Sequence, residues 1–204
     1  FFAAGVGHHA VAAVLGAAFH DGHEGRCTFH ACGGQVVKLF NLGEGDVHLG
    51  LGLALACVEQ LGQAVQGLGA KHHIHLDTYI FEDDALGRLI ADALIAKAEQ
   101  GVEVRLIYED VGCWKVRSRF FEDMREAGID VHAFMPVRFP AFTSKVNYRN
   151  HRKLCVIDGT TAFIGGMNIA KRYVSGRGHQ PWRDTHLRIR GGAVYAVQRA
   201  FLVD

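Results

Sequence analysis

His151, Lys153 and Asp158 form the pattern H-x-K-x-x-x-x-D, and Gly165, Gly166 and Asn168 follow it as G-G-x-N. An imidazole, an ammonium and an amide donor gathered around one short strand-turn-strand are the groups that phosphodiester chemistry requires. In an extended segment side chains alternate between faces, so His151 and Lys153 share one face while Arg152 and Leu154 take the other. A histidine with its ordinary pKa of roughly 6.5 is neutral and nucleophilic at working pH. Lys153 and Asn168 would stabilise charge on the phosphoryl oxygens. A covalent phosphohistidine is the natural intermediate, and this chemistry needs no metal. A bare H-x-K reads as a solvated strand face; Asp158, the glycine pair and Asn168 at their offsets reverse that reading.

The elements that must position these groups are legible around them. Leu154 to Ile157 is an apolar run of the kind found in strands buried on both faces. Asp158-Gly159 is a turn signal, and Thr161 to Ile164 is the returning strand. Gly165 and Gly166 let backbone approach a ligand closely. Upstream, His73 to Phe81 reads as a strand, and Asp84 to Gln100 as an amphipathic helix stopped by Gly101. Val102 to Tyr108 is a strand, Arg117 to Ala127 a helix ended by Gly128, and Ile129 to Phe134 a strand. Thr185 to Arg190 adds a strand and Ala193 to Leu202 a final helix. This alternation predicts an α/β fold with helices flanking a mostly parallel or mixed sheet.

These residues resemble the phospholipase D superfamily, and specifically its bacterial cardiolipin synthase branch. The likeness extends through residues 71–81, 136–140, 147–151 and 181–187, and covers residues 71–204. It implies a phospholipase D-like half-domain over 35–204. The activity implied is transfer of a phosphatidyl group between two phosphatidylglycerol molecules through His151, with no cofactor. By the same resemblance Asp184 would hydrogen-bond the nucleophilic histidine and hold its tautomer, as orienting carboxylates do in triads. Asp158 is counted with the site but is read as organising its turn. Asp77 and Tyr79 read equally as headgroup-lining residues or as polar strand positions, and His72 and His73 as the latter.

The superfamily builds one active site from two such motifs, one histidine attacking and the other protonating the leaving group. This sequence holds a single copy. The partner is therefore expected to be a second catalytic half in the same full-length chain, or else a homodimer mate across a two-fold axis. Phe201-Leu202-Val203-Asp204 ends where the resembling enzymes run on, which favours the first. Partners implied are anionic phospholipid and the inner membrane surface of a bacterium. The 136–149 loop interleaves Arg138, Lys145 and Arg149 with Phe139, Phe142 and Tyr148. It suits an anionic lipid surface or a nucleic-acid backbone, or is simply a solvated loop. Hydrolysis of phospholipid is the nearest alternative activity; a dimeric nucleic-acid phosphodiesterase and a non-catalytic scaffold are further ones.

Composition is that of an ordinary globular protein, with 21% charged residues and a formal net charge of +1. Net charge points to no particular partner, and a nucleic-acid partner is not expected. Five cysteines without regular spacing indicate a reducing compartment rather than a disulfide framework, and Cys155 reads as a small core residue. Residues 1–34 are rich in Gly, Ala and His and lack any resemblance. They are read as a membrane remnant or an out-of-frame segment, and the missing initiator Met suggests a start within a longer protein. His20, His23, Cys27, His30 and Cys32 match no zinc spacing, so no metal is expected. Val36 to Phe40 is a candidate strand and Val47 to Leu68 a glycine-weakened candidate helix.

Overall fold

The computed structural model describes residues 69–137, 149–175, 184 and 186–204, together with the backbone of two short strands at 28–31 and 47–48. The membrane-remnant reading, the candidate strand at 36–40, the remainder of the candidate metal cluster and the cationic loop residues before Arg149 lie outside them. Within the candidate helix, Val47–His48 is strand.

An eight-stranded sheet organises the described residues. Its strands are β1 Thr28–Ala31, β2 Val47–His48, β3 His73–Thr78, β4 Glu103–Glu109, β5 Asp130–Phe134, β6 Lys153–Ile157, β7 Thr161–Gly165 and β8 His186–Arg190. The order across the sheet is β2-β1-β8-β7-β6-β3-β4-β5. β3, β4 and β5 run parallel, joined by helices α1 Ala85–Glu99 and α2 Ser118–Glu126. The β6, β7 and β8 strands instead meet one another and β3 antiparallel. The sheet is thus mixed, the parallel portion ending where the motif hairpin begins. Two further helices follow, α3 Arg172–Ser175 and α4 Val194–Val203.

Local chemistry explains the boundaries. Asp84 caps α1, its Oδ1 accepting from the backbone nitrogens of Leu86 at 3.0 Å and Gly87 at 2.9 Å, which satisfies donors that the first helical turn leaves open. After α1 and α2 the chain turns at Gly101 and Gly128, with φ of 86° and 88°, the left-handed conformation glycine adopts without a Cβ penalty. Strand β6 is buried along its whole length because it lies between β3 and β7 with helices over both faces. On one face Cys155 and Ile157 join Ile74, Leu76, Leu106 and Phe163 beneath α1 and α2, which contribute Ile90, Leu94, Phe121 and Met124. On the other, Leu154 and Val156 join Ile164, Leu187 and Ile189 beneath Val194, Val197 and Phe201 of α4.

Asp158 locks the start of β3 onto the motif hairpin. Its carboxylate accepts from the backbone nitrogens of Lys71 at 2.9 Å, His72 at 2.9 Å and His73 at 3.0 Å, and its own N–H donates to the His73 carbonyl at 3.0 Å. Asp158 adopts φ 51°, a conformation aspartate tolerates better than most residues. Burial alone would raise its pKa, but the three backbone donors bring it below the ordinary carboxylate value. Strand rise puts Asp158 about 17 Å along β6 from Lys153, and its bonds described here are ones that register β3 against the hairpin.

Replacing Asp158 by Ala should therefore cost about 1–3 kcal/mol of stability, measured by urea denaturation. Because the folded-state pKa is lowered, the stabilisation is present above about pH 4 and lost as pH falls through the folded value. Wild type and variant should converge in acid.

Candidate active site

His151 stands two residues before the start of β6, and it is exposed to solvent. It packs against Tyr79, just beyond the end of β3, with ring centroids 4.3 Å apart. Lys153 is nearly buried and reaches back along the same face. Its Nζ lies 3.0 Å from His151 Nδ1 and donates to the His151 carbonyl at 2.7 Å. The same ammonium sits 5.1 Å from the centre of the Tyr79 ring, a cation–π contact. Tyr79 thus walls both the imidazole and the ammonium.

Burial sets the protonation states. Desolvation and, after it, the Lys153 charge lower the His151 pKa from its usual value, so the imidazole is neutral at pH 7. Desolvation draws the Lys153 pKa down to about 8, opposed by the carboxylates of Asp184 and Asp77. A neutral imidazole beside an ammonium whose pKa has been drawn toward neutrality is an arrangement suited to attack on a phosphoryl group.

The G-G-x-N segment builds the adjoining wall. Asn168 Oδ1 accepts from the Ile80 nitrogen at 2.9 Å, and its Nδ2 donates to the Tyr173 hydroxyl. Ile169 continues the seam, its N–H donating to Ile80 at 3.0 Å while its carbonyl accepts from Glu82 at 2.9 Å. Asn168 therefore first fastens the loop after β7 to the end of β3, which fixes Tyr79; one N–H of the amide serves Tyr173. Gly165 pairs with His186 of β8. A Cβ at Gly166 would fall 1.9 Å from Asp184 Oδ1, so the close approach that demands glycine there comes from a protein carboxylate.

Of the two readings of Asp77, headgroup lining or a polar strand position, its placement fits the second, and Arg149, read with the 136–149 loop as suited to an anionic surface, is tied to protein groups. Asp77 pairs across the sheet with Leu154 rather than with Lys153, so it faces the α4 side, where its Oδ2 accepts from Asn150 Nδ2 at 2.8 Å. Burial raises its pKa to about 6 against the pull of Asn150, Arg152 and Lys153. Arg149 Nη1 donates to Glu109 Oε1 at 2.7 Å and to the Met135 carbonyl at 3.0 Å. His72 and His73 give Asp158 their backbone nitrogens. The His73 and His75 rings bracket Gln198 of α4, with contacts of 3.3 and 2.6 Å.

Sequence reading passed over Glu109, Asn150, Tyr173 and His186 as site components. Glu109 is fully buried beneath Arg149 although 41 residues separate it from Asn150, whose N–H it accepts at 3.2 Å. His186 is on the Lys153 side, opposite to Leu187, which packs under α4. Burial first, and then Lys153, drive the His186 pKa to about 4. Its buried Nδ1 has no hydrogen-bond partner among the described residues. The strand alternation of His186 with Leu187 was a readable signal; nothing linear marked Glu109. Among the described residues no group of three or more His, Cys, Asp or Glu side chains could hold a metal ion.

Since the Asp184 carboxylate raises the Lys153 pKa and rests on Gly166, Gly166→Ala should push that carboxylate away. The Lys153 pKa should then fall below about 8, visible as a shift to lower pH in the titration of its ammonium by NMR.

Comparison with known proteins follows the same lines. The family described as cardiolipin synthase, PLD-like domain, matches residues 68–179. The cardiolipin synthase of Alkalihalophilus pseudofirmus is 48% identical over 136 residues, covering 66% of this chain and 27% of that protein. The major cardiolipin synthase of Bacillus subtilis is 46% identical over 139 residues, covering 66% of this chain and 28% of that protein. The chain thus spans about a quarter of the length of these curated relatives. Among solved structures, the phospholipase D family member Nuc from Salmonella typhimurium is similar with a TM-score of 0.52 at 18% identity, covering 87% of this chain and 90% of that one. This structural likeness speaks to the fold alone. With more than half of its length matched by the family and the motif strand, the Tyr79 wall and the β7 loop assembled around one histidine, the chain belongs to the cardiolipin synthase, phospholipase D-like domain family.

Proposed function

We propose that this chain carries the nucleophilic half of a phosphatidyl-transfer site that joins two phosphatidylglycerol molecules. The observation that supports it most directly is the pairing of a solvent-open, neutral His151 with the buried ammonium of Lys153. Relatives named cardiolipin synthase at 46–48% identity supply the lipid class.

In this reading a phosphate oxygen of the first lipid draws Lys153 away from His151 Nδ1. The ring proton then resides on Nδ1, which the Asp184 carboxylate, lying against Gly166 and acting on Lys153, would have to turn to hold, and the lone pair of Nε2 faces phosphorus. Nε2 bonds to phosphorus as the P–O bond to the glycerol headgroup breaks. The departing oxygen takes a proton from a general acid, the second histidine of a companion half or of a partner copy. That acid, now a base, removes the proton from a hydroxyl of the second phosphatidylglycerol, whose oxygen displaces His151 and completes the diester. Lys153 and the Asn168 amide stabilise the phosphoryl oxygens in both steps. Both substrates are lipids, so the site works at the surface of a bacterial membrane; among the described residues no helix is long and apolar enough to cross one.

Removal of His151 should abolish transfer. In the full-length protein, His151→Ala should lower the production of cardiolipin from labelled phosphatidylglycerol by roughly 10³-fold or more. Undiminished activity in that variant would remove His151 from the nucleophile role; phosphatidic acid as the main product would make the protein a hydrolase, and turnover of DNA but not lipid would make it a nuclease.

The protonation states add a pH signature. kcat/KM should fall in acid, on the acid side of the ordinary histidine range, as His151 takes a proton, and fall again above pH 8 as Lys153, with its pKa of about 8, loses one. In Lys153→Arg, whose guanidinium stays charged, the part of the alkaline fall that Lys153 contributes should vanish, leaving the limb set by the general acid.

A further inference from the structure

Residue 150 is the most heavily tied position beside the nucleophile. Asn150 N–H donates to Glu109 Oε2 at 3.2 Å, its Nδ2 donates to Asp77 Oδ2 at 2.8 Å and Asp204 Oδ2 at 3.0 Å, and its Oδ1 accepts from the Arg152 nitrogen at 3.0 Å. Those partners come from β3, from the end of β4, from the end of α4 and from the start of the motif strand itself. Its neighbours are tied to the same carboxylates, Arg149 to Glu109 at 2.7 Å and Arg152 to Asp204. Every residue flanking His151 is thus fixed to the scaffold by side-chain or backbone bonds. The His151 ring touches only Tyr79 and Lys153 in the contacts described above.

We propose that Asn150, held by Asp77, Glu109 and Asp204, is a positioning residue that sets the angle at which His151 meets phosphorus. This rests on the reading of His151 as nucleophile. The residue type follows from the partners. Asparagine alone of the small polar side chains offers an amide N–H₂ to two carboxylates and an oxygen to a backbone N–H at the same time. Aspartate would set a third carboxylate against Asp77 and Asp204 and has no donor to give them. Alanine would leave the buried Asp77 without its nearest donor, and would free the turn that Arg152 N–H closes onto Asn150 Oδ1. Misplacement of a reacting group by about 1 Å costs on the order of 10²-fold in rate. A residue that merely stabilised the fold would change the folded fraction instead.

The test uses the full-length protein and labelled phosphatidylglycerol in mixed micelles. The quantities read are the single-turnover rate of acid-labile phosphohistidine formation on His151, KM, and the melting temperature. Asn150→Ala should slow adduct formation by roughly 30- to 100-fold per folded molecule, with KM within about twofold of wild type. Asp77→Asn, close in shape and able to accept from Asn150 through its amide oxygen, should slow it by only about 3- to 10-fold. Acting through one residue, the two changes should be non-additive: the double variant should be no slower than Asn150→Ala alone. Adduct formation at the wild-type rate in folded Asn150→Ala would overturn the proposal, as would a change confined to KM or additive effects in the double variant. If Asn150→Ala does not fold, Asp77→Asn decides: a wild-type rate refutes positioning, a slowed rate at unchanged KM supports it. Absence of any adduct on His151 in the wild-type protein would sink the nucleophile reading, and positioning with it. A normal wild-type adduct with unaffected variants would sink positioning alone.

Discussion

The antiparallel pairing of β3 with β6 is the constraint on which the rest of this site depends. It sets Thr78 opposite Lys153, Asp77 opposite Leu154 and Ile74 opposite Ile157. A slip of one residue would carry every side chain of one strand to the wrong face. With this register, Tyr79 emerges beside His151, Asp77 passes below the sheet to Asn150, and the start of β3 delivers three backbone N–H groups to Asp158. The two ends of the pairing are held by different chemistry. A carboxylate gathers backbone donors at the turn end, while at the reactive end an amide is shared among carboxylates. Between them lie apolar residues buried on both faces, whose packing resists sliding.

Charge is distributed around this pairing so that Lys153 keeps few compensating partners while the supporting groups are neutralised. Lys153 is buried without an ion-paired carboxylate in direct contact among the bonds described, and its pKa drops to about 8. Glu109, buried more completely, has Arg149 within 2.7 Å and a backbone N–H besides. Burying a charge is costly unless it is paired and hydrogen-bonded. Glu109 is treated as structure in that sense. Lys153 is left with the imidazole and carbonyl of His151 and an aromatic face as its partners. His186, uncharged at neutral pH with its pKa of about 4, lies on the same side without adding a competing charge.

Much of the fold was readable before any coordinates. Glycine stops at 101 and 128, the apolar run of β6 and the Asp158-Gly159 turn are local signals, and local physics enforces each of them. The elements expected in the 71–204 region fall within a few residues of their observed bounds with strand and helix correctly distinguished, while the short helix Arg172–Ser175 had no assigned range. The sheet was less legible: strand-helix alternation announces parallel pairing, and within residues 71–204 it holds for β3, β4 and β5, while the hairpin that carries the motif adds its strands antiparallel. At the site, His151 and Lys153 share a face as alternation demands. Asp77 does not join them, because alternation along β3 leaves open which face a strand turns toward a neighbour far away in the chain. Arg149 carries a charge that any reading would offer to a phosphate; only the fold reveals Glu109 beneath it.

By itself, then, the sequence determined the local elements, the pairing of His151 with its neighbouring cation, and membership of a family. These are short-range properties: periodicity, caps, turn residues and a motif spanning a few residues. The tertiary structure decided the neighbours. It placed the Asp184 carboxylate where Gly166 has no Cβ, turned Asn168 toward Ile80 and Tyr173, and brought Asp77, Glu109 and Asp204 to one amide next to His151. Such contacts join residues 41 to 73 positions apart around Asn150, and they exist only once strand register is set. Register is a property of pairing between distant segments, so no single stretch of sequence contains it.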